Sequence, residues 1–363
     1  MCVPDLHACV RESLTLTLSL CADIGDWLRY AFQTSNNFTM AVSGTGHAGM
    51  EAAIANVVEP GDVVIVGVNG IWGERVADLV ERYGGVSRPI NALAGTVFRL
   101  DQLEAAFKAN PDAKALFLTH GESSTGTLQP VDGVGALCKR HGAIFILDTV
   151  CTLGGVPLAL DADGIDVTYS GSQKCLGAPP GSAPFSMSQR ARDKLAARKT
   201  KVSSYYFDAN LFGANWGVDG KPRWYHHTSP INTMYQLREA LALLCEEGLE
   251  AAWARHQEAA AQLHEGLQRL GLTLFVKDPA ARLPTVTTVE VPPGVVWSEV
   301  TSYIMAKYKL EISGGLGPSA GKVWRIGLMG HGARPGHVAL ILAALEDALR
   351  HVGFSNSQHH AEL

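Results

Sequence analysis

Three apolar runs, VVIVGV at 63–68, ALFLTH at 115–120 and AIFILD at 143–148, constrain the fold of this chain more than any other feature. Such runs, bounded by turn residues, read as strands buried on both faces. Strands of that kind belong to mainly parallel sheets covered by helices on either side. The segments around them have the matching helical pattern: HAGMEAAIANVV, IWGERVADLVERYG, RLDQLEAAFKAN and GALCKRHG. TMAVS at 39–43 and IDVTYS at 165–170 add strands, and CADIGDWLRYAFQT reads as a helix ahead of them. The alternation predicts an α/β fold with a mainly parallel sheet. A helical pair then spans 234–271. Beyond it, LPTVTTVEVP alternates like a half-exposed strand, WSEVTSYIMAKY is helical, KVWRIGLM is a strand and GHVALILAALEDALRHVG closes with a helix. The expected organisation is an atypical N-terminal segment at 1–26, a large domain at 27–248, a smaller α+β domain at 249–354 and a polar tail at 355–363.

Composition narrows the function classes. A chain of 363 residues with 47% hydrophobic and 18% charged content has enough apolar surface for two cores. A net charge of −5 offers nothing to nucleic acid or an acidic membrane, and no apolar run reaches the length of a membrane span. The seven cysteines are odd in number, irregularly spaced and without a C-x-x-C pair. That pattern argues for a reducing compartment and against a disulfide scaffold or a thiolate zinc site. Cys175 reads as a small buried hydrophobe.

GTGHAG at 44–49 matches the letters of a dinucleotide-binding loop. That motif also needs an acid closing the second strand, about 20 residues on, for the ribose. VVIVGV runs instead into Asn69 and Gly70, and Asp62 precedes it. The dinucleotide reading fails, but the physics of the loop survives. A Gly-rich turn entering a helix presents backbone N–H groups to an anion, with Ser43 and Thr45 as added hydroxyl donors. Gly46 is the expected point of closest approach to the bound group.

The decisive stretch is IDVTYSGSQKCLGAPPG at 165–181. Lys174 follows a strand through small polar residues and is a candidate Schiff-base lysine. Asp148 ends an apolar strand, where open α/β sheets place ligand contacts. An acid there, with Lys174 one β-unit downstream, suits a pyridine nitrogen kept protonated so that the ring acts as an electron sink.

SGSQKCLGAPPG, together with THGESSTG at 119–126, NGIWG at 69–73, YHHTSP at 225–230, LFVKDPAARLPTVTTV at 274–289, SGGLGPSAGKV at 313–323 and KVWRIGLMG at 322–330, resembles the alanine–glyoxylate aminotransferases. This family, also called serine–pyruvate aminotransferases, belongs to the class V, fold-type I pyridoxal-phosphate enzymes, and the resemblance covers about residues 27–350. It implies the cofactor pyridoxal 5′-phosphate and a large mainly parallel-sheet domain followed by a smaller C-terminal α+β domain. It implies Lys174 as the lysine that carries the cofactor and shuttles the substrate proton, and Asp148 as the partner of the pyridine nitrogen. Trp72 matches the aromatic stacked on the ring, and Ser123 the residue beside its phenolic oxygen. Thr45, Gly46, His47 and Gln173 match the phosphate site. Tyr225 and Thr228 match residues contributed by the partner subunit of a homodimer. Arg325 matches the clamp on the substrate carboxylate, which suits a planar guanidinium, and Arg223 is a weaker candidate. His226 and His227 lack a third ligand, so no metal is expected.

The implied reaction is a ping-pong transamination from alanine or serine to glyoxylate, giving glycine. The alternatives within the same fold type are a phosphoserine aminotransferase or a cysteine desulfurase. Family members carry a Gly/Pro-rich segment ahead of the first helix, and residues 1–26 show none. The resemblance then implies weakened substrate closure and dimer stability with the cofactor residues intact. Ala361-Glu362-Leu363 resembles a peroxisomal address with an acid in its central position, and the acidic, Arg-poor start makes a poor mitochondrial leader. Peroxisome is the expectation and mitochondrion the alternative.

Overall fold

A computed structural model describes residues 20–220 and 223–354. Residues 1–19 and the tail 355–363, on which the expectations about the leader and the C-terminal address fall, lie outside the described residues.

The apolar runs form the middle of a seven-stranded sheet. Its strands, in chain order, are β1 (Phe38–Ser43), β2 (Val63–Val68), β3 (Val86–Asn91), β4 (Ala115–Thr119), β7 (Ile144–Asp148), β8 (Val167–Tyr169) and β9 (Ser182–Met187). They lie in the order β1-β9-β8-β7-β4-β2-β3. Between β4 and β7, a short hairpin of β5 (Gly121–Glu122) and β6 (Thr127–Leu128) projects from the sheet. Every residue of β2, β4 and β7 is buried, as continuous apolar runs require. The helices of this part are α1 (Leu20–Phe32), α2 (Gly46–Val57), α3 (Ile71–Arg82), α4 (Leu100–Ala109), α5 (Val134–Arg140), α6 (Leu160–Asp163), α7 (Gln189–Ala196) and α8 (Ala209–Trp216). One hydrophobic core on each face of the sheet follows from this layering, one containing Ile24, Leu28, Phe107 and Phe145, the other Met50, Ile54, Phe117 and Phe185.

β9 is a strand the sequence pattern did not announce. It pairs antiparallel with both β1 and β8. Two antiparallel pairings in series restore direction, so β1 runs the same way as β8, β7, β4 and β2. Their carboxyl ends therefore gather along one edge of the sheet. β3 lies outside β2 and the chain then crosses back to β4, which makes the β2/β4 edge a switch point where open α/β sheets bind ligands.

The helical pair is α9 (Ile231–Glu247) and α10 (Leu249–Arg269), broken at Gly248, whose φ of +82° suits glycine. The start of α10 packs on the large core through Leu249 and Ala252. Its later turns pack through Ala259, Leu263 and Leu267 on a separate core. That second core lies over an antiparallel sheet of β10 (Val286–Glu290), β12 (Val323–Gly327) and β11 (Ser313–Gly314), covered by α11 (Trp297–Tyr308) and α12 (Pro335–His351). The two bodies meet at the hairpin. Ser319 Oγ donates to the Ser124 carbonyl at 2.6 Å, Thr288 Oγ1 to the Thr125 carbonyl at 2.7 Å, and Thr285 Oγ1 to the Cys151 carbonyl at 2.6 Å. Among the described residues no helix is long and apolar enough to cross a membrane.

Candidate active site

The β1–α2 turn forms the first wall. Gly44 has φ +141°, and a Cβ there would lie 2.5 Å from the Ala48 Cβ. Thr45 is the N-cap of α2 and makes no side-chain cap bond, so the first N–H groups of the helix face outward. Within the protein itself the glycines of the turn differ in the room they leave. A Cβ on Gly46 would meet a Val150 methyl at 3.1 Å, whereas one on Gly49 would lie 2.8 Å from the Tyr169 Cβ. Gly44 shapes the turn and Gly49 brings the helix start against β8; Gly46 is the milder constraint. Ser43, expected among the anion donors, is engaged elsewhere, with Oγ 2.7 Å from His227 Nε2.

β7 delivers Asp148 at its carboxyl end. The side chain is buried, and both oxygens are held. Val150 N–H donates to Oδ1 at 2.8 Å and Tyr169 Oη–H donates to Oδ2 at 2.8 Å. Burial outweighs these bonds and the nearby Lys174, and pushes the carboxyl up to about 6. β8 delivers Lys174 through a turn in which Ala178 N–H donates to the Ser172 carbonyl and Ser172 Oγ to the Pro179 carbonyl at 2.7 Å. Gly177, at φ +75°, closes the turn.

Trp72 stands in the first turn of α3, and its Nε1–H donates to Ser123 Oγ at 2.9 Å. The Arg75 guanidinium lies 4.8 Å from the centre of the Trp72 ring, and Arg75 Nη1 is 2.6 Å from His47 Nε2. Partial burial and then Arg75 hold His47 below its ordinary value. Thr45, Gly46, His47, Trp72, Asp148, Gln173 and Lys174 line one cavity of about 130 Å³, closed by Met50, Gly121, Val150 and Cys151. A roomier cleft of about 610 Å³, lined by Cys21, Arg29, Trp216 and Arg223 among others, has no lysine or buried acid among its described lining residues. Shape alone favours that cleft; the chemistry belongs to the smaller cavity.

Arg325, on β12, reaches the hairpin from the smaller body. Its Nε–H donates to the Gly314 carbonyl at 2.7 Å and Nη1 to the Ser123 carbonyl at 3.3 Å. Ser123 therefore stands between Trp72 and Arg325. Tyr225 and Thr228 are not in this cavity. They bond to each other at 3.0 Å, and Tyr225 is 73% exposed. Arg223 lies in the larger cleft with Nε–H donating to the Asn215 carbonyl at 2.8 Å. Cys175 is buried beneath the site with Sγ 3.5 Å from the Cys151 carbonyl, and burial raises its thiol.

Sequence reasoning missed three groups. Tyr169 and Val150 fix the Asp148 carboxylate, and Cys151 lines the cavity with its thiol pushed up to about 11 by burial. Only the position of Cys151, three residues after Asp148, offered any signal.

The residues fit pyridoxal phosphate. Gln173 Oε1 is buried without a hydrogen-bond partner beside the open end of α2, and a buried acid and a lysine face the same space. A phosphate at the helix start, a basic ring nitrogen at Asp148 and an aldehyde at Lys174 answer each of these.

The aminotransferase class-V family model matches residues 23–331, and this chain belongs to that family of pyridoxal-phosphate enzymes. Among its relatives, the alanine–glyoxylate aminotransferase of Callithrix jacchus is 52% identical over 335 residues, 92% of this chain and 81% of the relative. An (S)-ureidoglycine–glyoxylate transaminase of Bacillus subtilis is 36% identical, covering 89% of this chain and 81% of the relative. The crystal structure of an alanine–glyoxylate aminotransferase from Nostoc sp. superposes with a TM-score of 0.89 at 47% identity, covering 95% of this chain and 92% of that one.

Proposed function

We propose that this chain moves the amino group of alanine or serine to glyoxylate, giving pyruvate or hydroxypyruvate and glycine, with the cofactor held in the cavity of Asp148 and Lys174. One observation carries the reading: a buried carboxylate and a lysine from successive strands converge on a cavity at a helix N-terminus. Pyridoxal phosphate, when bound there, supplies a ring that withdraws electrons from the Cα–H bond of an amino acid. Asp148, kept from water, holds a proton at the ring nitrogen. Lys174 Nζ takes the Cα proton and delivers it again on the far side of the exchange. Thr45, His47, Gln173 and the N–H of Gly46 hold the phosphate. Trp72 covers the ring, and Ser123, oriented by the Trp72 indole, faces the phenolic oxygen. Arg325 takes the substrate α-carboxylate in a bidentate grip.

Glyoxylate as acceptor is supported by the relatives, two of which carry it in their names at 52% and 36% identity. A desulfurase would need a mobile nucleophilic thiol, and the Cys175 thiol is buried and held protonated. A homodimer completes the proposal. Tyr225 and Thr228 lie on an exposed segment beside Tyr205, Trp224 and Ile231, large apolar side chains that a partner subunit would cover.

The test is a panel of alanine, serine, phosphoserine and cysteine as donors, with glyoxylate and pyruvate as acceptors, on purified protein loaded with cofactor. Glycine formation from glyoxylate with alanine or serine is expected. Preference for phosphoserine, or sulfide release from cysteine, would overturn the assignment.

A further inference from the structure

The helix that carries Trp72 has no cap of its own. Its N-cap, Gly70, has no side chain, and the first N–H groups of α3 would be left without acceptors. The β5–β6 hairpin, about 50 residues downstream in the chain, supplies the acceptors instead. Ile71 N–H donates to Ser124 Oγ at 3.2 Å, and Trp72 N–H donates to Glu122 Oε2 at 3.2 Å. The other Glu122 oxygen accepts from Ser124 N–H at 2.9 Å and Ser124 Oγ–H at 2.6 Å. Glu122 is fully buried, and a Cβ on Gly70 would overlap its carboxylate. Glycine at that position is a requirement of space, since its φ of 177° is ordinary extended backbone.

The hairpin residue between these two acceptors is Ser123, whose Oγ accepts the Trp72 indole N–H. Trp72 is thereby held at both ends by consecutive residues of one hairpin, through its backbone by Glu122 and through its ring by Ser123.

We propose that Glu122 is a positioning residue for the cofactor, acting through Trp72 by capping the helix that presents the indole to the cavity. The proposal rests on the reading of that cavity as the pyridoxal-phosphate site. Glu122 itself does not line the cavity, so it exerts its effect on cofactor affinity by way of the ring platform.

A double-mutant cycle tests it. The dissociation constant of pyridoxal phosphate is measured on apo-protein for wild type, E122Q, W72F and the double variant, together with the induced circular dichroism of the bound cofactor. Gln keeps the shape but cannot accept from both Trp72 and Ser124, so E122Q is expected to weaken cofactor binding roughly tenfold, the range of a lost helix cap, and to reduce the induced signal. In the W72F background the same change is expected to weaken binding less than about twofold, because the platform it acts through is gone. Equal weakening in both backgrounds overturns the proposal and leaves Glu122 a stability residue only. Where E122Q does not fold, S124A replaces it in the cycle with the same criterion. Failure of the wild type to bind the cofactor refutes the site reading, and this proposal with it. Wild-type binding with additive changes refutes this proposal alone.

Discussion

Asp148→Asn is expected to push apo-protein stability and function in opposite directions. The carboxyl sits at about 6, against 3.8 for a free aspartate, because burial costs more than its two hydrogen bonds and Lys174 return. About two units at about 1.4 kcal/mol each make a penalty of about 3 kcal/mol on the ionised folded apo-protein. The sign follows from proton binding. Below about 3.8 both folded and unfolded chains are protonated and the residue is neutral to stability. Between that value and about 6 the unfolded chain releases a proton that the folded chain retains, so stability falls as pH rises; above about 6 the penalty is complete. Asparagine keeps the geometry, its oxygen accepting from Val150 and its amide facing the Tyr169 oxygen. Apo D148N should therefore be about 3 kcal/mol more stable than wild type near pH 8 and unchanged near pH 4. On the proposed role of Asp148 opposite the ring nitrogen, losing the charge removes one member of a buried pair, about 3–5 kcal/mol, so the amino-acid half-reaction should slow by roughly 10²–10⁴-fold. Urea unfolding of apo-protein at the two pH values, with single-turnover kinetics on loaded protein, reads both effects. A stability gain of equal size at both pH values, or none at either, would refute the argument from burial.

Arg325→Lys keeps the charge but loses the planar fork, and should lower kcat/KM for both amino acid and glyoxylate by roughly 10–100-fold, mainly through KM, with cofactor affinity unchanged; steady-state kinetics and cofactor titration separate these. Gly49→Ala places a methyl 2.8 Å from the Tyr169 Cβ and should destabilise the apo-protein by about 1–3 kcal/mol, seen as a lower urea midpoint. Neither Tyr225→Phe/Thr228→Ala nor Lys174→Ala should be active alone at wild-type level. If the first pair acts across a subunit interface, mixing and reassembling the two inactive proteins should restore activity by forming one intact site per mixed dimer. Mixed dimers without activity would contradict a role for Tyr225 and Thr228 across the subunit interface.

Much of this architecture is written in local pattern. The buried strands announce themselves because VVIVGV, ALFLT and IFILD are apolar without interruption, and the helices between them because their apolar residues recur with helical spacing. Asp148 is legible because it ends such a strand, and Lys174 because only small polar residues separate it from the IDVTYS strand. β9 is not, since SAPFSM has a central proline and no alternation, and only its two neighbours in the sheet make it a strand. The glycine loop shows the same limit: spacing marks 44, 46 and 49 alike, and only the approach of Ala48 and Tyr169 reveals that Gly44 and Gly49 are tighter within the protein than Gly46. The Tyr169 bond to Asp148 and the borrowed cap of the Trp72 helix depend on residues about 20 and 50 positions away in the chain, beyond any local periodicity.

The central claim is that Lys174 is the residue that carries pyridoxal phosphate. Loading the purified protein with the cofactor, reducing it with borohydride and mapping the modified peptide by mass spectrometry tests this most directly. The expected result is a phosphopyridoxyl group on Lys174 and none in Lys174→Ala. A label on another lysine, or an unlabelled wild-type chain, would contradict it.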